Sequence, residues 1–99
     1  MPTKITIIID NPADPAAFEP VYADVRRAAA TLPGLERLES AKVWPKEDGT
    51  ATPAYRTLDL YFASYEDASA AVTTPAAQQV FGGLIGSGVT ITGLFSDIE

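Results

Sequence analysis

In "KITIIID", Lys4 to Asp10, alternate positions divide a β-branched run into two faces, Ile5, Ile7 and Ile9 on one and Lys4, Thr6 and Ile8 on the other. This pattern predicts a strand. The turn residues "DNPADP" follow, and Asp14 before Pro15 starts a helix, because the carboxylate caps free N–H groups and proline needs no donor at the first helical position. From there the period lengthens. Phe18, Val21, Tyr22, Val25, Ala29 and Leu32 form one apolar stripe of a helix running to about Leu32, which Pro33-Gly34 stops. "LERLESAKVW" returns to alternation and predicts a second strand, ahead of a polar loop, "PKEDGTATP", with a turn at Asp48-Gly49.

"AYRTLDLYFA" reads as the third strand, with Leu58, Leu60 and Phe62 on one side and Tyr55, Thr57, Asp59 and Tyr61 on the other. Ser64 with Asp67 three residues on caps a short helix, "YEDASAAV". Thr74-Pro75 opens another, striped by Ala77, Val80, Phe81 and Leu84 and ended by "GGLIGSG". "VTITGLF" is the fourth strand. The order β-α-β-β-α-β predicts an α+β domain over residues 1–99, a four-stranded antiparallel sheet with helices on one face.

The apolar strand faces belong under the helices. The opposite face is then expected to carry Thr6, Ile8, Lys42, Trp44, Thr57, Asp59, Tyr61, Thr90, Thr92 and Leu94. A semi-polar face with aromatic and aliphatic residues suits packing against a second copy about a two-fold axis, so the expected partner is a homodimer mate.

Composition narrows the chemistry. The chain has 99 residues, is 46% hydrophobic, and carries 7 basic against 13 acidic residues, a net charge of −6. That sign disfavours nucleic acid and anionic membrane surfaces. Without cysteine or histidine there is no thiol chemistry and no imidazole for metal, haem or proton transfer. No metal or cofactor is expected. The N-terminal apolar run is too short for a signal-peptide core, which suggests a cytoplasmic protein.

Tyr22 and Arg26 lie one turn apart, so a phenol and a guanidinium fork could together hold an enolate or carboxylate. The structural alternative is a packed tyrosine beside a solvated arginine. Asp59, mid-strand among apolar neighbours, is the sheet's candidate general base, or else an ion-pair partner of Lys42 or an arginine. Trp44 and Tyr61 are candidates for an aromatic ligand wall, with the loop after Trp44 as a lid, or for interface packing. "GGLIGSG" follows a helix and precedes a strand, the reverse of a phosphate-binding loop.

The strings "NPADPAAFEPVY", "LPGL", "YRTLDLYFAS", "YEDASAAV" and "TPAAQQVF", in this order over nearly the whole chain, resemble the EthD-like family. The resemblance implies a ferredoxin-like domain that dimerises sheet to sheet as a dimeric α+β barrel. It also implies a pocket between sheet and helices. Its wider group includes accessory proteins of ether breakdown, lactone isomerases, polyketide tailoring dehydratases and small monooxygenases. Family members commonly carry a Tyr and then a His in the first helix. Tyr22 fits the first and Arg26 stands one turn on, so a histidine proton shuttle is not available here. The expected activity is cofactor-independent proton transfer, isomerisation or dehydration of a small hydrophobic molecule; a non-catalytic accessory or ligand-binding role is the alternative.

Overall fold

A computed structural model describes residues 1–99, in the order β1 (Thr3–Ile9), α1 (Pro15–Ala29), β2 (Arg37–Lys42), β3 (Arg56–Phe62), α2 (Tyr65–Ala71), α3 (Pro75–Gly86) and β4 (Ile91–Asp97). All four strands pair antiparallel in the spatial order β2-β3-β1-β4. This is the ferredoxin-like βαββαβ arrangement, with its second helical segment divided into α2 and α3. The caps act where the sequence places them. Asp14, Ser64 and Thr74 accept from the backbone N–H groups of Ala17, Asp67 and Ala77. Pro15 and Pro75 occupy first-turn positions that need no donor.

The helix side of the sheet is dry. Ile5, Ile7, Ile9, Leu58, Leu60 and Phe62 are each no more than 1% exposed, and they meet Phe18, Tyr22, Val25 and Ala29 of α1, Ala68 and Ala71 of α2, and Ala77, Val80 and Leu84 of α3. No helix is long and apolar enough to cross a membrane.

Several expectations shift. Helix α1 ends at Ala29, yet Leu32 stays buried because the chain bends back at Gly34, whose φ of 78° is left-handed. Helix α3 runs through Gly82 and Gly83 instead of ending there. Its glycines let it close on α1: a Cβ at Gly83 would lie 3.0 Å from Val25 Cγ2. The turn out of α3 comes at Gly88, with φ of 87°.

The open face differs in membership. Lys42 pairs with Arg56 in register with Ser40–Leu58 and Leu38–Leu60, so it points to the helix side, not the open side. Trp44 lies beyond the end of β2 and is 87% exposed. Tyr55 precedes β3 and breaks the alternation: its N–H donates to the Ile9 carbonyl, and its ring packs edge-on against Phe18. Thr90 falls just before β4. By register, the open face carries Lys4, Thr6 and Ile8; Arg37, Glu39 and Ala41; Thr57, Asp59 and Tyr61; and Thr92, Leu94 and Ser96.

The α1–α3 contact predicts opposite outcomes at neighbouring glycines. Gly83→Leu should destabilise by about 1–3 kcal/mol through overpacking against Val25. Gly82→Ala, with nothing within 4 Å, should stabilise by about 0.5–1 kcal/mol through helix propensity. Urea denaturation of the two variants measures both.

Candidate functional site

The polar side of α1 faces the end of the β2–β3 ladder across a cleft of about 410 Å³ lined by Glu19, Tyr22, Ala23, Arg26, Arg27, Ala30 and Arg56. The volume is within the range of small-molecule sites. Tyr22 is buried by the helix stripe, its ring 6.0 Å from that of Phe18, and its hydroxyl meets Ser40 Oγ on β2 at 2.6 Å. Arg56, at the start of β3, lies over the Tyr22 ring with Cζ 4.5 Å from the centroid. Its Nε and Nη2 donate to Glu19 at 3.1 and 2.5 Å. This fork holds the Glu19 carboxyl below the usual carboxylate range and raises the Arg56 guanidinium further.

Arg26 and Arg27 are both exposed but differ in partners. Arg27 is bonded to Asp24, whereas Arg26 makes no ion pair and no side-chain hydrogen bond within the chain. The cleft thus combines two alanines and a buried phenol with four charged side chains, of which one guanidinium is uncommitted.

Asp59 lies elsewhere. It projects from the open face, where Thr6 Oγ1 donates to it at 2.5 Å and Lys4 Nζ stands 3.8 Å away. Its cation is therefore Lys4, not Lys42, which register turns to the opposite side. Within one chain the sheet separates Asp59 from Tyr22 and Arg26, so the three do not form a common site.

Trp44 and Tyr61 are not brought together either. Tyr61 pairs with Arg37 at the start of β2 and Trp44 follows its end, at least roughly 16 Å along the ladder. Tyr61 donates to Glu39 at 2.6 Å and carries the Arg37 guanidinium 4.1 Å above its ring. The Glu39 bond raises the Tyr61 pKa. Trp44 borders a separate hollow with Lys42, Val43 and Pro45. The loop following it is anchored by Asn11 Nδ2, which donates to the Thr52 carbonyl at 2.7 Å.

Glu19, Ser40 and Arg56 are site residues that periodicity arguments pass over. One signal was present: Arg56 has the same parity as Leu58, Leu60 and Phe62, so a charge falls on the inward side of the strand. An inward charge needs a partner, and Glu19 supplies it.

No family model matches the chain. An uncharacterized 11.0 kDa protein encoded in the thcB-thcC intergenic region of Rhodococcus erythropolis is 32% identical over 100 residues, spanning 97% of this chain and 94% of the relative. An ethyl tert-butyl ether D (EthD) family protein from Bacillus halodurans superposes with a TM-score of 0.88 at 17% identity, over 100% of both chains. SnoaB, a cofactor-independent oxygenase from Streptomyces nogalater solved as its N63A mutant, gives 0.70 at 14% identity, covering 98% and 92% of the two chains. A dimeric ferredoxin-like protein of unknown function from Thermobifida fusca gives 0.75 at 11% identity, covering 99% and 92%.

Two outcomes follow from the cleft's bonds. Ser40→Ala leaves the buried Tyr22 hydroxyl without its partner and should cost about 1–2 kcal/mol in urea unfolding. The double variant with Tyr22→Phe should recover part of that loss, since neither hydroxyl is then stranded. The lowered Glu19 pKa means that the folded state binds its proton less readily than the unfolded chain. The advantage of the native protein over Glu19→Gln should be fully present above the ordinary value of 4.5 and vanish as pH falls through the depressed one. Glu19 is 37% exposed, so screening limits that advantage to about 1 kcal/mol, measurable by unfolding at pH 7 and in acid.

Proposed function

We propose that the chain, which shares its fold with an EthD family protein, is an EthD-like homodimer that binds a small, largely hydrophobic organic molecule in the cleft beside α1. The observation that carries this reading is the uncommitted Arg26 guanidinium in a cleft beside two alanines and the buried Tyr22 phenol. Polar groups that converge on a concave site fix the orientation of what it holds. In this reading Tyr22 and Arg26 orient the ligand. The one carboxylate lining the cleft, Glu19, is tied to Arg56 and held ionised with a lowered pKa, which makes it a weak base. That favours holding a ligand over moving its proton, hence an accessory or ligand-binding role.

Catalysis without a cofactor is the second reading, favoured by the fold shared with a cofactor-independent oxygenase and by the Tyr22–Ser40 hydroxyl pair. There Tyr22 and Arg26 stabilise developing negative charge in a proton transfer, isomerisation or dehydration. Asp59 has no part in this cleft, because the sheet stands between them. With Tyr61 it belongs to the proposed dimer surface, and Trp44 stands apart in its loop.

The dimer reading rests on the open face. Ala41, Thr57, Ile8 and Thr92 form the row at one end; Leu94 stands in the middle row with Thr6, and the Lys4–Asp59 and Arg37–Glu39 pairs span the middle row and the other end, already neutralised within the chain. Such a face can meet its own copy without stranding a charge. Dimeric relatives with this fold support it.

Native mass spectrometry of freshly purified protein tests both parts. The expected spectrum has twice the 10.5 kDa chain mass plus an organic adduct. Ala23→Trp, which fills the cleft from an exposed position, should remove the adduct and keep the dimer. Ile8→Lys should give a monomer with unchanged far-ultraviolet circular dichroism. An adduct that survives Ala23→Trp would place the ligand elsewhere, and a native monomer would remove the sheet-to-sheet assembly.

A further inference from the structure

Three of the chain's seven Lys and Arg residues, Arg26, Arg27 and Arg56, line one cleft in a protein whose net charge is −6. Cations gather at a helix C-terminus because they complement its dipole, which accounts for Arg26 and Arg27 in the last turn of α1. It does not account for Arg56, which comes from β3 and is only 14% exposed. Like charges held this close repel unless anions intervene. Two are neutralised within the chain, Arg56 by Glu19 and Arg27 by Asp24; Arg26 is not.

Resting on the binding role argued above, we propose that the cleft is selective for organic monoanions, a carboxylate or an enolate on a flat apolar body, with Arg26 as the residue that holds the charge. The walls fit that chemistry. Ala23 and Ala30 are small and exposed, so a planar group can lie along this strip of α1 with its anionic end toward Arg26, above a Tyr22 ring that is itself buried and covered by Arg56. A guanidinium presents parallel N–H donors that match the two oxygens of a carboxylate. Arg56 acts as a positioning residue: its fork to Glu19 and its place over Tyr22 hold the ring and the polar edge of α1 in place. A single uncommitted cation sets the ligand charge at minus one. A dianion would face Glu19 with nothing left to neutralise its second charge.

The test uses the full chain, with benzoate as the anionic probe and benzamide as its neutral analogue of similar shape. Amide NMR titration should show saturable shifts at Tyr22, Ala23, Arg26 and Ala30 with benzoate, and at least about tenfold weaker binding of benzamide. Arg26→Gln should weaken benzoate by about tenfold while leaving benzamide unchanged, and Arg26→Lys should keep part of the benzoate affinity. Lys46→Gln, exposed and outside the lining of the cleft, should change neither. Equal binding of the two probes, or an Arg26→Gln variant that still prefers benzoate, would overturn the charge selectivity and leave the cleft as a neutral-ligand site. No shift at these amides with either probe would overturn both the selectivity and the binding role. Arg26 is exposed and makes no ion pair or side-chain hydrogen bond within the chain, so amide dispersion should confirm that its variants remain folded.

Discussion

Strand β1 lies between β3 and β4, so its backbone hydrogen bonds are used on both edges and its side chains have only two directions left. Ile5, Ile7 and Ile9 go toward the helices and are excluded from water, while Lys4, Thr6 and Ile8 go to the open side. A shift of one residue would reverse both sets and bury a lysine. The neighbouring registers are fixed to this one, and with them the side on which every charged residue of β2 and β3 emerges. The placement of Arg56 over the cleft and of Asp59 away from it follows from that constraint.

Helix α1 uses the dry face twice. Its stripe buries Phe18, Val25 and Ala29 against β1 and β3, and the same face carries Tyr22 to the β2 edge, where Ser40 satisfies the hydroxyl. The residues on the next strip around, Glu19, Ala23 and Arg26, therefore border the cleft instead of bulk solvent. Stability and the proposed binding role share one helix here. The stripe holds α1 in place, and a charge pair from another element, Arg56 with Glu19, fixes the position of its polar edge.

The open face shows the same economy of charge. Glu39 meets both Arg37 and Tyr61, and Asp59 meets both Lys4 and Thr6, so no side-chain oxygen or nitrogen buried in the chain lacks a partner. A face whose charges are internally matched can be covered by apolar contact around Ile8 and Leu94. This is why one sheet can carry both the proposed ligand cleft beside α1 and the proposed dimer surface.

Periodicity alone determined the order of strands and helices, the caps at Asp14, Ser64 and Thr74, and the buried sets of β1 and β3, because these depend on repeats of two or 3.6 residues and on local backbone donors. The order of EthD-like motifs pointed to the same fold. Pairing was not legible in that way. Which side of the sheet Lys42 faces is decided by its register with Arg56, and Tyr55 turns inward because it joins β3 through an irregular backbone bond to Ile9. The grouping of Tyr22 with Ser40, Glu19 and Arg56, and the exclusion of Asp59, Tyr61 and Trp44 from that group, needed the tertiary structure. Residues distant in sequence become neighbours only through strand register and helix placement, and a linear pattern records neither.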